Sequence, residues 1–318
     1  MSILNQNWDG NIIEDIEIVL VDDCSTDKTK QILKHYNTKY SNIKVYFTEK
    51  NSGYPSIPRN IGIEKSKGQY LMFMDNDDEY CEDICKTLFE TIIQEEADII
   101  TCNYYNIFDS KISEIKLKLN VENYTQKNNF IILDSYNAIL LNDILIWTKI
   151  YKKSIIIENN IKFPKRGCED VFFNINYFIN SKKIIYLNNY FGIKRHMRKD
   201  SLSVYPDVNR IIQDIKCSTK IQKILDSHIK TSEFRFSYLK ESISHCYFRI
   251  LNLKNKKDME ILLNYIYELE NKFSFDENID VLIYDFINFF VKKKQFNIAV
   301  LIINMINLLK IIYNKLFN

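Results

Sequence analysis

Hydrophobic positions in the first two thirds of the chain fall into short β-branched runs separated by stretches of helical spacing. Ile16-Glu17-Ile18-Val19-Leu20-Val21 predicts a strand that ends on Asp22-Asp23. Lys28 to Tyr40 then sets Ile32, Leu33 and Tyr36 at helical spacing, with Ser25 or Asp27 as the N-cap. Ile43 to Phe47 predicts a second strand, and Asn51 to Gly62 a loop rich in turn formers that enters a short helix before Gly68. The apolar and aromatic run Gln69 to Met74 predicts a third strand, buried on both faces, that delivers Asp75-Asn76-Asp77-Asp78 where it leaves the sheet. Asp83 to Glu95 reads as a helix and Ala97 to Tyr105 as a strand, while Ile107 to Asn129 is irregular, a hairpin or flap. Leu133 to Leu141 predicts a helix and Ile146 to Tyr151 a short strand. Cys168-Glu169-Asp170 opens an amphipathic helix over Val171 to Asn180, and Ile184 to Leu187 and Phe191 to His196 read as extended.

Strand and helix alternating in this way is the rhythm of an α/β protein with an open, mostly parallel sheet, and such sheets bind ligands outside the carboxyl ends of their strands. Both acid clusters lie there. After about Tyr205 the pattern changes to long helical periodicities, which predicts a C-terminal all-helical domain over residues 206–318 behind an α/β domain over residues 1–205. The last helix, Phe296 to Phe317, carries one narrow polar stripe of Asn304, Asn307, Lys310, Asn314 and Asn318. Burial in the helical domain explains that pattern; docking on a membrane surface or partner helix, helped by Lys292-Lys293-Lys294, is the sharper alternative.

Composition narrows the class. A chain of 318 residues with 46% hydrophobic and 14% aromatic positions has material for two real cores. Its 43 basic and 41 acidic residues nearly cancel, which argues against a nucleic-acid partner. Seven scattered cysteines without CxxC pairs suit reduced thiols in a cytoplasmic compartment. Met1 to Asp9 has no apolar h-region, so no signal peptide is expected, and no stretch reaches the ~20 apolar residues of a membrane span.

Asp75, Asp77 and Asp78 repel one another at the mouth of a strand. A hard cation bridged to a phosphate-bearing substrate would relieve that repulsion. A solvated acidic turn would do so equally well, and the motif alone leaves both open.

Several stretches in order resemble the family 2 glycosyltransferases of the GT-A fold. Val21-Asp22-Asp23-Cys24-Ser25-Thr26-Asp27 is similar to the family's VDDGSTD segment, with Cys24 where Gly is usual. Asn51 to Gly62 resembles its N-x-G…P-x-x-P-R-N-x-G segment, Lys67 to Tyr70 its A-x-G-x-Y lead-in, and Phe73 to Asp78 its F-x-D-x-D-D motif. Trp147 to Tyr151 is similar to W-x-K-L-Y, Phe163-Pro164 through Glu169-Asp170-Val171 to F-P…E-D-V, and Arg198 to Ser203 to R-x-x-S-I-S. The resemblance covers roughly residues 2–205.

It implies a Rossmann-like GT-A domain and an inverting, metal-dependent glycosyltransferase of bacterial surface-polysaccharide or glycoconjugate synthesis. The donor it implies is a nucleotide diphosphate sugar, UDP-sugar first; the acceptor is a glycan or lipid-linked hydroxyl. By the same resemblance Asp22 and Asp23 hold base and ribose, Asp75 faces the ribose or the water shell of the metal, and Asp77 ligates Mn2+ or Mg2+; Arg59 reaches a phosphate, with a salt bridge at the loop as the equal alternative. Asp170 is the general base, with Glu169 as alternate. A helix start would lower that carboxylate's pKa and keep it ionised. His196, Arg198 and Ser201 fall in the segment that closes over the phosphates, as phosphate donors or with His196 as a third metal ligand; Trp147 and Lys149 fit an acceptor-side wall, with a core Trp as the equal alternative. The implied place is the cytoplasm, with peripheral attachment to the inner membrane face through the C-terminal helix.

One departure qualifies the picture. Ser2-Ile3-Leu4-Asn5-Gln6 resembles only the close of the family's first helix, so the family's opening strand has no counterpart here. A catalytically impaired homologue that binds a nucleotide or partner is therefore the rival expectation.

Overall fold

The computed structural model describes residues 2–117, 124–127, 129–140, 145–197, 208–228, 255, 257–263 and 265. In chain order the elements are α1 (Ile12–Asp15), β1 (Ile18–Asp22), α2 (Thr29–Lys39), β2 (Ile43–Phe47), α3 (Ser56–Lys65), β3 (Tyr70–Met72) and β4 (Glu79–Tyr80). There follow α4 (Ile84–Gln94), β5 (Ile99–Phe108), β6 (Lys111–Ile115), β7 (Thr125–Lys127), β8 (Phe130–Leu133), α5 (Ser135–Leu140) and β9 (Lys149–Lys152). The remainder are α6 (Lys153–Glu158), α7 (Glu169–Ile179), β10 (Ile184–His196) and α8 (Val208–His228). Two compact units divide the chain: Met1–Lys165 with Glu169–Arg198, and Arg166–Cys168 with Lys199–Asn318.

The first unit holds two sheets. β1 and β2 form a parallel pair in register from Ile18 opposite Ile43 to Asp22 opposite Phe47. The larger sheet has eight strands in the order β3-β9-β5-β10-β8-β7, with β4 on β10 and β6 on β5. Among the described residues only β5 and β10 pair in parallel within it; the other pairings are antiparallel, so the sheet is mixed rather than mostly parallel. The reason lies partly in the irregular stretch after Ile107. Asp109 and Ser110 take left-handed φ of 47° and 64°, which turns β5 straight back as the β5–β6 hairpin.

The strand before the acidic motif also differs from expectation. It is three residues long, pairs only with β9 among the described residues, and all three side chains are half-buried. As an edge strand it has one neighbour instead of two, so burial on both faces is lost. Ile184–Leu187 and Phe191–His196 are one long strand, β10, whose register on β5 shifts between Leu187 and Phe191 and again before Ile193.

An aromatic cluster fills the core behind the acidic motif. Phe163 and Phe173 stack at 4.1 Å and 5°. Phe73 meets Tyr151, Phe163 and Phe173 edge-on at 5.5–5.7 Å, and Tyr151 meets Phe173 and Tyr177 at 5.6 and 5.0 Å. Each such pair adds roughly 0.5–1.5 kcal/mol beyond its area burial. Both phenol hydroxyls of the cluster are satisfied: Tyr151 donates to Asn174 Oδ1 at 2.7 Å and Tyr177 to Asp98 O at 2.8 Å. The N-terminal segment docks through Gln6, whose amide donates to Cys81 O at 2.8 Å and accepts from Cys85 N at 3.0 Å.

In the second unit the predicted first helix is α8, with Ile211, Ile215, Ile221 and Leu225 buried. Gly167, at φ +76°, lies so close to this helix that a Cβ there would meet Gln213 O at 2.4 Å. The later predicted helices, including the striped last one, fall almost wholly outside the described residues. Among the described residues no helix is long and apolar enough to cross a membrane.

Candidate active site

The first acid cluster is built from its own neighbourhood. Asp22 ends β1, and its carboxylate accepts from Ser25 N at 3.1 Å and from the Ser25 hydroxyl. Cys24 sits between them with φ 61°, the left-handed conformation for which the resembled segment has glycine. Asp23 accepts from Thr48 Oγ1 at 3.0 Å and from Ser52 N and Oγ at 2.9 and 2.7 Å, while Asn51 Nδ2 donates to Asp23 O at 2.9 Å. Gly53, at φ +71°, turns the chain immediately after this contact. Ser25 therefore supports Asp22 rather than capping α2, whose first turn is met by Asp27 Oδ1 accepting from Thr29 N at 2.9 Å.

The second cluster follows β3. Asp78 N donates to Asp75 O at 3.2 Å and closes the turn, and the Tyr80 hydroxyl donates to Phe73 O at 2.7 Å beneath it. Asp78 points inward and accepts His196 N at 3.0 Å, which ties the motif to the end of β10. Burial pushes the Asp78 carboxyl up to about 6 against the pull of that N–H, and the charges of Asp77 and Asp75 push the same way. The imidazole of His196 lies 3.2 Å from Glu79 Oε1.

Asp170 stands in the first turn of α7, where the turn Gly167–Cys168, with φ of +76° and 43°, delivers the chain into the helix. It meets Asp75 through one guanidinium. Arg59 Nη1 donates to Asp170 Oδ1 at 2.6 Å and Nη2 to Asp75 Oδ1 at 2.7 Å, with the side chains of Arg59, Asp170 and Asp75 12%, 24% and 37% exposed. Burial works against the Arg59 charge, but Asp170 and Asp75 outweigh it and hold the guanidinium protonated. For Asp170 burial wins: it raises the carboxyl to about 7 in spite of Arg59, and Glu169 and Asp75 add to the rise. The lowering expected from a helix start is thus reversed, because desolvation inside the site exceeds the dipole's effect of about 1 kcal/mol.

Asp22, Asp23, Arg59, Asp75, Asp77, Glu169, Asp170 and His196 all belong to the first unit, whereas Arg198 and Ser201 lie outside the described residues. Trp147 and Lys149 are inside the protein. Trp147 is 3% exposed with its ring edge-on to Tyr104 at 4.9 Å, and Lys149 is fully buried with its ammonium on Leu145 O and, at 3.0 Å, Thr148 Oγ1. Neither forms an exposed wall in this structure. Sequence reasoning missed Asn60 and Phe163, which trade side-chain and main-chain bonds at 2.9 Å in both directions and fix α3 beside α7's aromatic face. Both stand in the motifs quoted above, Asn60 in P-R-N-x-G and Phe163 in F-P, which was the signal for them.

The donor set suits a hard dication. Arg59 meets the charges of Asp75, Asp170 and Glu169, and Asp78 those of Asp75, Asp77 and Arg195, so a diphosphate brought here would meet excess negative charge. Among the described residues no three His, Cys, Asp or Glu gather as a closed metal cage. Two carboxylates completed by substrate phosphates and water suffice for Mg2+-like ions.

Residues 1–157 match the model of the family described as "Glycosyl transferase family 2". This segment is a family 2 glycosyltransferase domain. Among its relatives is the poly(ribitol-phosphate) beta-N-acetylglucosaminyltransferase TarS of Staphylococcus aureus (strain Mu50), 30% identical over 186 residues that cover 57% of this chain and 30% of TarS. Another is the cholesterol galactosyltransferase of Borreliella burgdorferi, 30% identical over 186 residues, covering 56% of this chain and 51% of that protein. The chain thus spans a third to a half of the length of these curated relatives. A crystal structure of S. aureus TarS 1-349 in complex with UDP-GlcNAc superposes with a TM-score of 0.68 at 20% identity, covering 93% of this chain and 83% of that one. The family 2 domain here therefore has the GT-A fold, with the antiparallel edge and hairpin described above.

Proposed function

We propose that this family 2 protein transfers a sugar from a nucleoside diphosphate sugar, a UDP-sugar first, to a hydroxyl of a glycan or lipid-linked acceptor in surface polysaccharide or glycoconjugate synthesis. The observation that carries the reading is the convergence of Asp75, from the acidic motif, and Asp170, from α7, on one buried arginine. Donor-side and base-side carboxylates thereby share one site. The relatives support the donor class, since their names record transfer of N-acetylglucosamine or galactose, and TarS has been crystallised with UDP and UDP-GlcNAc.

In this reading Asp22 and Asp23 bind the base and ribose, and Asp77 with Asp75 holds Mn2+ or Mg2+, which would neutralise charge on the departing nucleoside diphosphate. Asp170 takes the proton of the acceptor hydroxyl as its oxygen attacks the anomeric carbon opposite the leaving group, which inverts the configuration. A carboxyl held near 7 is well matched to that task at neutral pH. Glu169 is the alternate base, and His196, Arg198 and Ser201 are assigned to the phosphates by the motif they belong to in the sequence. Nucleotide sugars place the reaction on the cytoplasmic side, at or near the membrane that carries a lipid-linked acceptor.

The test is release of UDP from a panel of UDP-sugars with Mn2+ present. Turnover that requires Mn2+ and is lost in Asp77→Ala supports the reading. Calorimetric binding of UDP and Mn2+ without UDP release from any donor would assign the protein to binding alone.

A further inference from the structure

We propose that Arg59 is the positioning residue of the transfer reaction, holding the base Asp170 against the donor-side Asp75 so that the two halves of the site are set by one side chain. The inference rests on the transferase reading above, but the contact itself does not. Arg59 is held from three directions. Its helix is pinned by the reciprocal Asn60–Phe163 bonds, its guanidinium lies 5.4 Å from the Phe163 ring centroid, and its two nitrogens are spent on the two carboxylates. Phe163 in turn stacks on Phe173, one turn along α7 from Asp170. The base, the arginine and the aromatic stack therefore close a loop: Asp170 is fixed by α7, α7 by Phe173 on Phe163, and Phe163 by α3, which returns through Arg59 to Asp170.

A guanidinium suits this position because its planar fork reaches two acceptors in fixed directions, while an ammonium would act as a point charge on either. The charged groups that face Asp170 are Arg59 from α3, Asp75 from the acidic loop and Glu169 from its own helix. Arg59 favours the ionised base and the two acids oppose it. Binding of a cation at Asp75 would remove one of the opposing charges, so occupation of the donor side would leave Arg59 to act on the base with less competition.

The experiment compares Arg59→Met, Arg59→Lys and Asp75→Asn with the parent protein. The ligand-free carboxyl titration of Asp170 is followed by 13C NMR and assigned by its disappearance in Asp170→Asn. The Asp170 midpoint should rise by about 1 pH unit or more in Arg59→Met, stay lower in Arg59→Lys, and fall in Asp75→Asn. An unmoved midpoint in Arg59→Met with unchanged circular dichroism overturns the proposal; if that variant does not fold, the Asp75→Asn and Arg59→Lys midpoints decide. With a UDP-sugar turned over by the parent, Arg59→Met should lose about 100-fold in kcat, with the acid limb of the pH profile moved upward and Arg59→Lys recovering part of the loss. A rise in KM alone, at constant kcat and profile, would make Arg59 a donor-phosphate contact and overturn the positioning role. Absence of turnover with every donor would defeat the transferase reading, and the titration would still decide the Arg59–Asp170 coupling.

Discussion

Two acid clusters at strand ends are held in opposite ways. At the end of β1 the carboxylates of Asp22 and Asp23 are met by neutral donors, the Ser25, Thr48 and Ser52 hydroxyls and nearby main-chain N–H groups. After β3, Asp75 and Asp170 share one buried guanidinium supplied by a third element, and Asp78 takes a main-chain N–H from a fourth. Neutral donors fix the shape of a loop without changing its charge, which suits recognition of a nucleoside. Burial raises the Asp170 and Asp78 carboxyls to about 7 and about 6, at Asp170 against the pull of the shared Arg59, and a carboxyl near neutral pKa suits proton transfer. The first cluster is a shelf held by neutral donors, and the second is an acid-rich site in which one cation joins two carboxylates.

The sharpest way to break this comparison is to remove one acid from each side. Asp170→Asn should cost about 10²–10⁴-fold in turnover with little loss of UDP affinity, as checked by steady-state kinetics and calorimetry. Asp23→Ala should instead act first on the fold, since it leaves the Ser52 N–H without its acceptor, while the Thr48 and Ser52 hydroxyls retain Lys50 O and Tyr54 O. A loss of about 1–3 kcal/mol in urea unfolding is expected, together with weaker UDP binding.

A smaller effect separates charge from shape at Asp78. Its folded pKa lies above the ordinary carboxylate value, so between about pH 4 and 6 the folded state binds more protons than the unfolded chain, and stability falls as pH rises through that window. Asp78→Asn keeps an acceptor for His196 N and removes the ionisation. It should flatten that pH dependence and gain on the order of 1 kcal/mol at pH 7, read from urea midpoints across pH. The smallest effect belongs to the shelf. Cys24→Gly relieves a left-handed residue at some cost in chain entropy, for a net gain of about 0.5–1 kcal/mol in the same assay.

How much of this was legible follows from the same contrast. The β1 cluster could be read locally, because Asp22, Asp23, Ser25 and Ser52 sit in two short segments rich in turn formers at the ends of adjacent parallel strands. The acidic motif was legible as chemistry, but the strand before it was not: a run of Tyr70, Leu71 and Met72 has the same pattern at an edge as in a sheet interior. Trp147 and Lys149 mislead for a related reason, since a Lys between Thr148 and Ile150 in a strand gives no sign that carbonyl and hydroxyl oxygens inside the fold will hold its ammonium.

The sequence by itself determined the order of elements from β1 to β5, apart from the short β4, the two acid clusters at strand ends, and the family 2 motifs. These depend on residues near one another, through side-chain periodicity and turn chemistry. Only the tertiary structure decided that the larger sheet is mixed, that Asp78 turns inward to β10, and that Arg59 joins Asp75 to Asp170. Those outcomes depend on desolvation and on partners more than a hundred residues away for Asp78 and Asp170, and neither quantity is written in any local pattern.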